Sequence, residues 1–429
     1  MLNATVAMLV TVIAYALIIS EKIPRLISAF TGAVAMVVLG TWLGFYSEKL
    51  ALESIDFDTL GLLIGLMVFV SLLKRTGAFE ALSVWTTQVT KGNPLLLLCA
   101  LSAMAMALSM LVNNVTVILF MAPITATITN SLGISVIPFL IAEAVFSNIG
   151  GIATLIGDPP NVLIGSAAGF SFTDFLIHLA PIVLVIAAVC MGCFLWLFRG
   201  QLADSTHSIP PLATVEIKGI IREPAHLKRL LVIISTGLVL FFTYDLLKLS
   251  PGIVALLIGV VSLLLVRSKI DEIVAEIEWN ILLFFAALFV IVGGLDAVGV
   301  LDAIAEALGS FAQGNLAGAM VLFLWLSAFL SAVIDNIPFT VVMIPIIQHL
   351  QQTGLDVNPL WWALALGVGL GGNGTPIGSS AGLFAQHYSE RTKEPISFKA
   401  WLKVGGTLAL VSTAAATALL LLFFWVGWL

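Results

Sequence analysis

Charge is what this sequence has least of. Charged residues fill 10% of its 429 positions, where a soluble domain carries about 25%. Hydrophobic residues fill 60%, and the mean hydropathy is +1.13. That balance excludes a soluble globular protein and leaves an all-α polytopic membrane protein. The net charge of −6 is spread over loops, so no nucleic-acid partner is implied. Cysteine is scarce too. Cys99, Cys190 and Cys193 all lie in apolar segments, which excludes a disulfide framework. The Cys190-x-x-Cys193 pair lacks the βαβ context of a redox motif and reads as packing, with binding of a thiophilic metalloid as the alternative. The first residues, Met1-Leu2-Asn3-Ala4-Thr5, lack the basic region of a cleaved signal. They read as the lead-in to a first span. No G-x-x-x-x-G-K-[ST] motif occurs, so the chain is not expected to hydrolyse ATP. No His-Glu-x-x-His occurs either, and no metal site, cofactor or enzymatic activity is expected.

What the sequence does contain is long apolar runs. A membrane helix needs about 20 apolar residues. Candidate spans are 4–20, 26–45, 59–73, 135–169 (broken), 175–197, 230–247, 251–266, 280–295, 359–385 (broken) and 404–428. These are ten. Glycine, proline and small polar residues interrupt two of them, at 148–161 and 369–382. In lipid a freed backbone group needs a partner, so a break at membrane depth is tolerated where protein buries it or water reaches it. Two such breaks in matching positions are the best sequence pointer to a transporter's substrate site. Two further apolar stretches, about 94–130 and 316–350, are cut near their centres by Asn113-Asn114 and Asp335-Asn336. Each reads as a re-entrant hairpin with the polar pair at its tip. Two ordinary spans joined by a turn is the competing reading.

The halves align almost without gaps. Gly77 and Gly299, Ser109 and Ser331, Asn114 and Asn336, and Pro123 and Pro345 are each offset by 222 positions. The offset becomes 221 at Gly150-Gly151 and Gly371-Gly372, and at Thr154 and Thr375. The expected domains are a first repeat at 1–198, a linker at 199–229 and a second repeat at 230–429. Five crossings per repeat is odd, so the repeats have inverted topology. The basic residues test this. With both termini outside and the linker cytoplasmic, 16 of the 18 Lys and Arg residues fall inside, as the positive-inside rule expects. Full crossings in place of hairpins would put Lys218 through Arg229 outside. The linker is too short for a nucleotide-binding domain. A separate ATPase subunit remains a candidate partner, with the linker as its dock.

The polar residues at the interruptions are the ones that can carry chemistry. Asn113, Asn114 and Asn336 offer amides, and Asp335 a carboxylate. The breaks bring Gly151, Thr154, Gly372, Asn373 and Thr375 to the same depth, with the free N–H and C=O groups of half-helix ends. Such a cavity suits an oxyanion, a neutral hydroxylated solute or a cation. The bland reading is that these residues cap helix ends. Glu143, Asp158 and Asp335 are intramembrane acids, and an ionisable group at that depth is a functional candidate by default. Reversible proton binding would suit them. Capping of the helix that starts near Pro159 is the alternative for Asp158. No lysine or arginine is expected at comparable depth.

Four blocks carry a family resemblance: Asn-Asn-Val-Thr-Val-Ile-Leu-Phe (113–120), Ser-Asn-Ile-Gly-Gly-Ile-Ala-Thr-Leu-Ile-Gly-Asp-Pro-Pro-Asn (147–161), Asp-Asn-Ile-Pro-Phe-Thr (335–340) and Gly-Gly-Asn-Gly-Thr-Pro-Ile-Gly-Ser-Ser-Ala (371–381). Together they resemble the ion transporter superfamily, in the branch of the arsenite efflux pumps, the P protein and sodium/proton antiporters. The resemblance implies a scaffold domain that forms a homodimer and a transport domain that moves to alternate access. It adds Asn161 and Ser379 to the residues lining the site, and an inner or plasma membrane as the location. In the arsenite pumps the first tip reads Asn-Asp and the second Asn-Asn. Here the single carboxylate is on the second tip, and these blocks are closer to the P protein. The Ser-Asn-Thr tips of dicarboxylate carriers are absent. The expected function is arsenite or antimonite efflux in exchange for protons. Sodium/proton antiport and an anion transporter or channel are the alternatives.

Overall fold

The computed structural model describes residues 2–20, 22–91, 93–203, 217–392 and 394–428. Linker residues 204–216 and Lys393 therefore lie outside the described residues. Among the described residues every regular element is helical. The same order of eleven helices runs twice, from Leu2 to Ala203 and from Pro224 to Val426. Each apolar run forms the helix its length allows, with spans such as Leu2–Ser20, Arg25–Leu43 and Phe57–Arg75 in the first half. Among the described residues nine helices are long and apolar enough to cross a membrane.

The two halves interlock by exchange. Arg25–Leu43 packs on Trp279–Asp296, and its counterpart Pro251–Val266 packs on Phe57–Arg75. Phe57–Arg75 and Pro251–Val266 approach closely, because a Cβ on Gly65 would lie 2.2 Å from the Ala255 carbonyl. Asp58 accepts from the Ser250 hydroxyl and from Gly252 N–H at 3.1 Å, pinning the same two helices. At their other end Arg75 donates to Glu272 at 2.6 Å and Glu276 at 2.8 Å.

Each polar pair marks a turn between two antiparallel arms. The first hairpin is Pro94–Ser109 and Asn114–Leu132; the second is Leu316–Val333 and Asn336–Gln352. A hairpin that crossed the membrane fully would carry its turn to a surface. Asn114 and Asn336 are instead buried. Each return arm packs on a half-helix of the opposite repeat: Asn114–Leu132 on Ser380–Ser389, and Asn336–Gln352 on Pro159–Ala168. The broken spans are Ile137–Ile152 with Pro159–Ala168, and Asn358–Gly371 with Ser380–Ser389.

Two features differ from the sequence reading. Short helices at Glu48–Glu53, Ala78–Val89, Ile270–Glu276 and Val300–Gly314 connect the longer elements. They escape a search for 20-residue apolar runs because they are too short to span. Trp361 and Trp362, although near the start of a candidate span, are buried rather than set at the membrane interface. Trp362 stacks on Phe170 and His178 at centroid distances of 4.2 and 5.0 Å.

The breaks are held against the hairpins by glycine contacts that repeat in both halves. A Cβ on Gly150 would lie 2.2 Å from the Met106 carbonyl, and one on Gly371 would lie 2.2 Å from that of Ala328. Gly150→Ala should therefore force the arm and the break apart, at about 1–3 kcal/mol. A lowered thermal midpoint in detergent checks this. The control is Gly192→Ala, where a Cβ meets nothing within 4 Å and little change is expected.

Candidate functional site

The interruptions meet in one buried polar network built on Asp158. Asp158 stands at the N-cap position of Pro159–Ala168, yet its side chain makes no capping bond. The first N–H available to it, that of Asn161, donates to the Asp158 main-chain carbonyl at 2.9 Å, and Pro159 and Pro160 supply none, so the first two donors of that helix do not exist. The capping reading for Asp158 is thereby excluded, and its carboxyl is left to other partners. Oδ1 accepts from Asn114 Nδ2 and Oδ2 from Asn336 Nδ2, each at 3.3 Å. One carboxyl therefore joins the tips of both hairpins.

The network continues into the second half. Asn114 Nδ2 also donates to Asn148 Oδ1 at 2.9 Å. Asn148 Nδ2 donates to Asn373 Oδ1 and to Ser379 Oγ, both at 2.8 Å. Asn148 thus ties one tip to both sides of the second break. It is the residue that sequence reasoning missed. The available signal was an amide one helical turn before the second break-forming glycine, in a helix otherwise apolar except at Glu143 and Ser147. Asp158 and Ser379 are repeat counterparts. Gly151 and Gly372 leave room for them, since a Cβ there would meet Asp158 Cβ at 3.1 Å and Ser379 Cβ at 3.3 Å respectively.

Other predicted residues close the break itself. Thr154 Oγ1 donates to the Met110 carbonyl and Thr375 Oγ1 to that of Ala332, each at 2.5 Å. Both threonines latch a break to the end of a hairpin arm. Asn161 Nδ2 reaches the carbonyls of Gly151, Ile152 and Thr154 at 2.9–3.0 Å. The indole of Trp401 does similar work in the second half, donating to the Asn373 carbonyl at 3.1 Å. The half-helix carbonyls are thus occupied by the chain's own donors.

Glu143 is not part of this network. It is fully buried, and its Oε1 accepts from Thr125 Oγ1 at 2.5 Å on the return arm of the first hairpin. Its Oε2 has no hydrogen-bond partner.

Each tip pair splits between network and cleft. Asn114 and Asn336 face inward, while Asn113 and Asp335 line open clefts. The Asn113 cleft, of about 250 Å³, is lined by Ser71, Lys74, Thr116, Pro159, Glu276 and Glu278 among others. The Asp335 cleft, of about 450 Å³, includes Arg25, Asn280 and Ser380. There the expectation of no base at depth fails: the Arg25 guanidinium pairs with the Asp335 carboxylate. Arg25 opens a helix rather than interrupting one, so no break in the hydropathy pattern marks it. Residues 378–382 spell G-x-S-x-G, but Ser380 follows a 3-10 turn and its hydroxyl lies 3.4 Å from Asp335 Oδ2. It lacks the strand-to-helix elbow that activates a serine.

Comparison with known proteins settles the family. The profile of the CitMHS family, described as citrate transporter, matches residues 15–367. This chain belongs to that family. It is 36% identical over 422 residues to a 46 kDa membrane protein of Mycobacterium leprae, covering 96% of this chain and 97% of that one. It is 30% identical to the human P protein, covering 99% of this chain and 61% of that protein. The magnetosome protein MamN of Paramagnetospirillum magneticum is 32% identical over 84% of this chain and 82% of its own length. Its fold resembles the crystal structure of the Alcanivorax borkumensis YdaH transporter, with a TM-score of 0.58 at 16% identity over 88% of each chain. The CitMHS chain is a multi-pass membrane transporter and not an enzyme.

Removing Asn148 should leave Asn373 and Ser379 without its amide donor and Asn114 without its acceptor. Asn148→Ala is expected to cost about 1–3 kcal/mol for each buried group left unpaired, read as a lower unfolding midpoint in detergent.

Proposed function

We propose that this CitMHS-family chain is a secondary active transporter that moves a small solute outward in exchange for protons, with Asp158 as the coupling group. The observation that carries this reading is the single buried carboxyl shared by both hairpin tips. As a carboxylate it accepts from both amides. A proton on either oxygen turns one acceptor into a donor facing an N–H. One tip then loses its partner, so proton binding loosens the link between the repeats.

The clefts support alternating access. On the positive-inside reading, Lys74 and Arg25 lie at cytoplasmic helix ends. Both clefts that end on a tip residue open near these two residues. The counterpart of the Asn113 cleft, at the opposite helix ends, is lined by Asp56, Asp296, Val341 and Gln348 and reaches no tip residue. This asymmetry fits an inward-open carrier.

For the solute, arsenous acid or its antimony analogue is the leading reading. It is neutral near pH 7, and amides and hydroxyls such as Asn113, Thr116, Asn280 and Ser380 match its hydroxyls without a charged clamp. The family description names citrate, which bears about three negative charges at neutral pH. The ionisable residues lining the two tip clefts are Glu276, Glu278 and Asp335 with Lys74 and Arg25, and Glu276 is also paired with Arg75, so the clefts hold no basic surplus to attract a multiply charged anion. The carboxyl and amide oxygens of the same clefts support a second reading, sodium/proton antiport, because hard cations take oxygen ligands.

Everted vesicles with an acid lumen should accumulate arsenite, and an uncoupler should abolish the accumulation. Asp158→Asn should reduce it about tenfold, the scale of one lost hydrogen bond to a charged group. Sodium-driven proton flux without arsenite accumulation would decide for the second reading.

A further inference from the structure

The Arg25–Asp335 pair is not required by the repeated fold. The counterpart of Asp335 in the other half is the uncharged Asn113, and Pro251–Val266, the helix that matches Arg25–Leu43, has no basic residue in its first turn. The second hairpin alone is also held by Tyr15, whose hydroxyl donates to the Pro338 carbonyl at 2.9 Å; the counterpart of Tyr15 is Gly237. Helices Leu2–Ser20 and Arg25–Leu43 thus clamp one tip and leave the other free. The pair also sits where an ion could reach it. The Arg25 side chain is 22% exposed, and both residues line the open cleft with Asn280 and Ser380. The Asp335 side chain is only 4% exposed, and its Oδ1 is buried without a hydrogen-bond partner. Half of this carboxylate is satisfied by a cation carried on the protein's own chain, and half is unused.

We propose that Arg25 is a tethered counter-ion that competes with free alkali cations for Asp335, and so sets the cation selectivity of the second hairpin tip. With the guanidinium in place the tip is neutral and the hairpin is fastened to the first two helices. A cation that binds Asp335 must displace Arg25, and doing so unfastens the hairpin. The inference uses the ion pair and the family assignment, and does not depend on arsenite or proton exchange.

The test is sodium binding by the purified full-length protein, read as the shift of its thermal midpoint on titration with NaCl against choline chloride. An opposite charge at this range changes ion affinity by roughly one to three orders of magnitude. Arg25→Gln is therefore expected to lower the sodium midpoint at least about tenfold relative to the parent, and Arg25→Gln with Asp335→Asn to lose the gain. Arg25→Lys keeps the charge but not the planar fork, and should show a smaller gain in the same direction. An unchanged midpoint in Arg25→Gln, or a gain that survives Asp335→Asn, overturns the proposal. If Arg25→Gln does not fold, an unchanged midpoint in Arg25→Lys overturns it. Because the readout is binding, a carrier that moves no arsenite can still pass or fail.

Discussion

A helix broken at membrane depth exposes backbone groups that lipid cannot satisfy. Much of the architecture around the two breaks answers that constraint. Asn161 gathers three carbonyls left by the end of Ile137–Ile152. Thr154 and Thr375 fasten the breaks to the hairpin arms. Trp401 takes the Asn373 carbonyl. The hairpins can sit close enough to serve because glycines at 150 and 371 let backbone approach backbone. Without these partners the freed carbonyls would stand unpaired at membrane depth, at several kcal/mol each.

With the backbone satisfied locally, the side chains of the breaks are free for other work. Asp158 shows how. Two prolines remove the first two donors of its helix, the third N–H goes to its own main-chain carbonyl, and its carboxyl turns to the hairpin tips. In the second half the matching position is Ser379, and Gly382 matches Asn161. There the side chain does cap, accepting from Gly382 N–H at 3.1 Å. A duplicated scaffold thus carries its acid in one copy and a neutral hydroxyl in the other. The acids and bases are distributed unevenly again at the tips, where Asp335 pairs with Arg25 while its counterpart Asn113 is uncharged. The fold repeats; the electrostatics do not.

Sequence pattern made the scaffold legible because apolar length and its interruptions report directly on lipid. Hairpins, breaks and the internal repeat follow from that pattern. Asn114, Asn336, Asn373 and Ser379 were legible as polar residues at those interruptions, and all four enter the network. Orientation was not legible. Thr154 and Thr375 were expected beside a solute, and their hydroxyls go to main-chain carbonyls instead. Asn148 sits within an apolar helix, and nothing in its spacing says that it faces three partners. Arg25 was counted only as a cytoplasmic charge, because a long side chain at a helix start reaches a tip 310 positions away only once the chain is folded. Residue type supplies the chemistry, and packing decides which group receives it.

The central claim is that Asp158 couples the two hairpin tips. A double-mutant cycle on Asn114→Ala and Asn336→Ala, read as unfolding free energy in detergent, tests it most directly. Through a shared carboxyl the two losses should fail to add by at least about 0.5–1 kcal/mol, and the coupling should vanish in an Asp158→Ala background. Losses that add to within about 0.3 kcal/mol would show that the tips act independently, and would contradict the account.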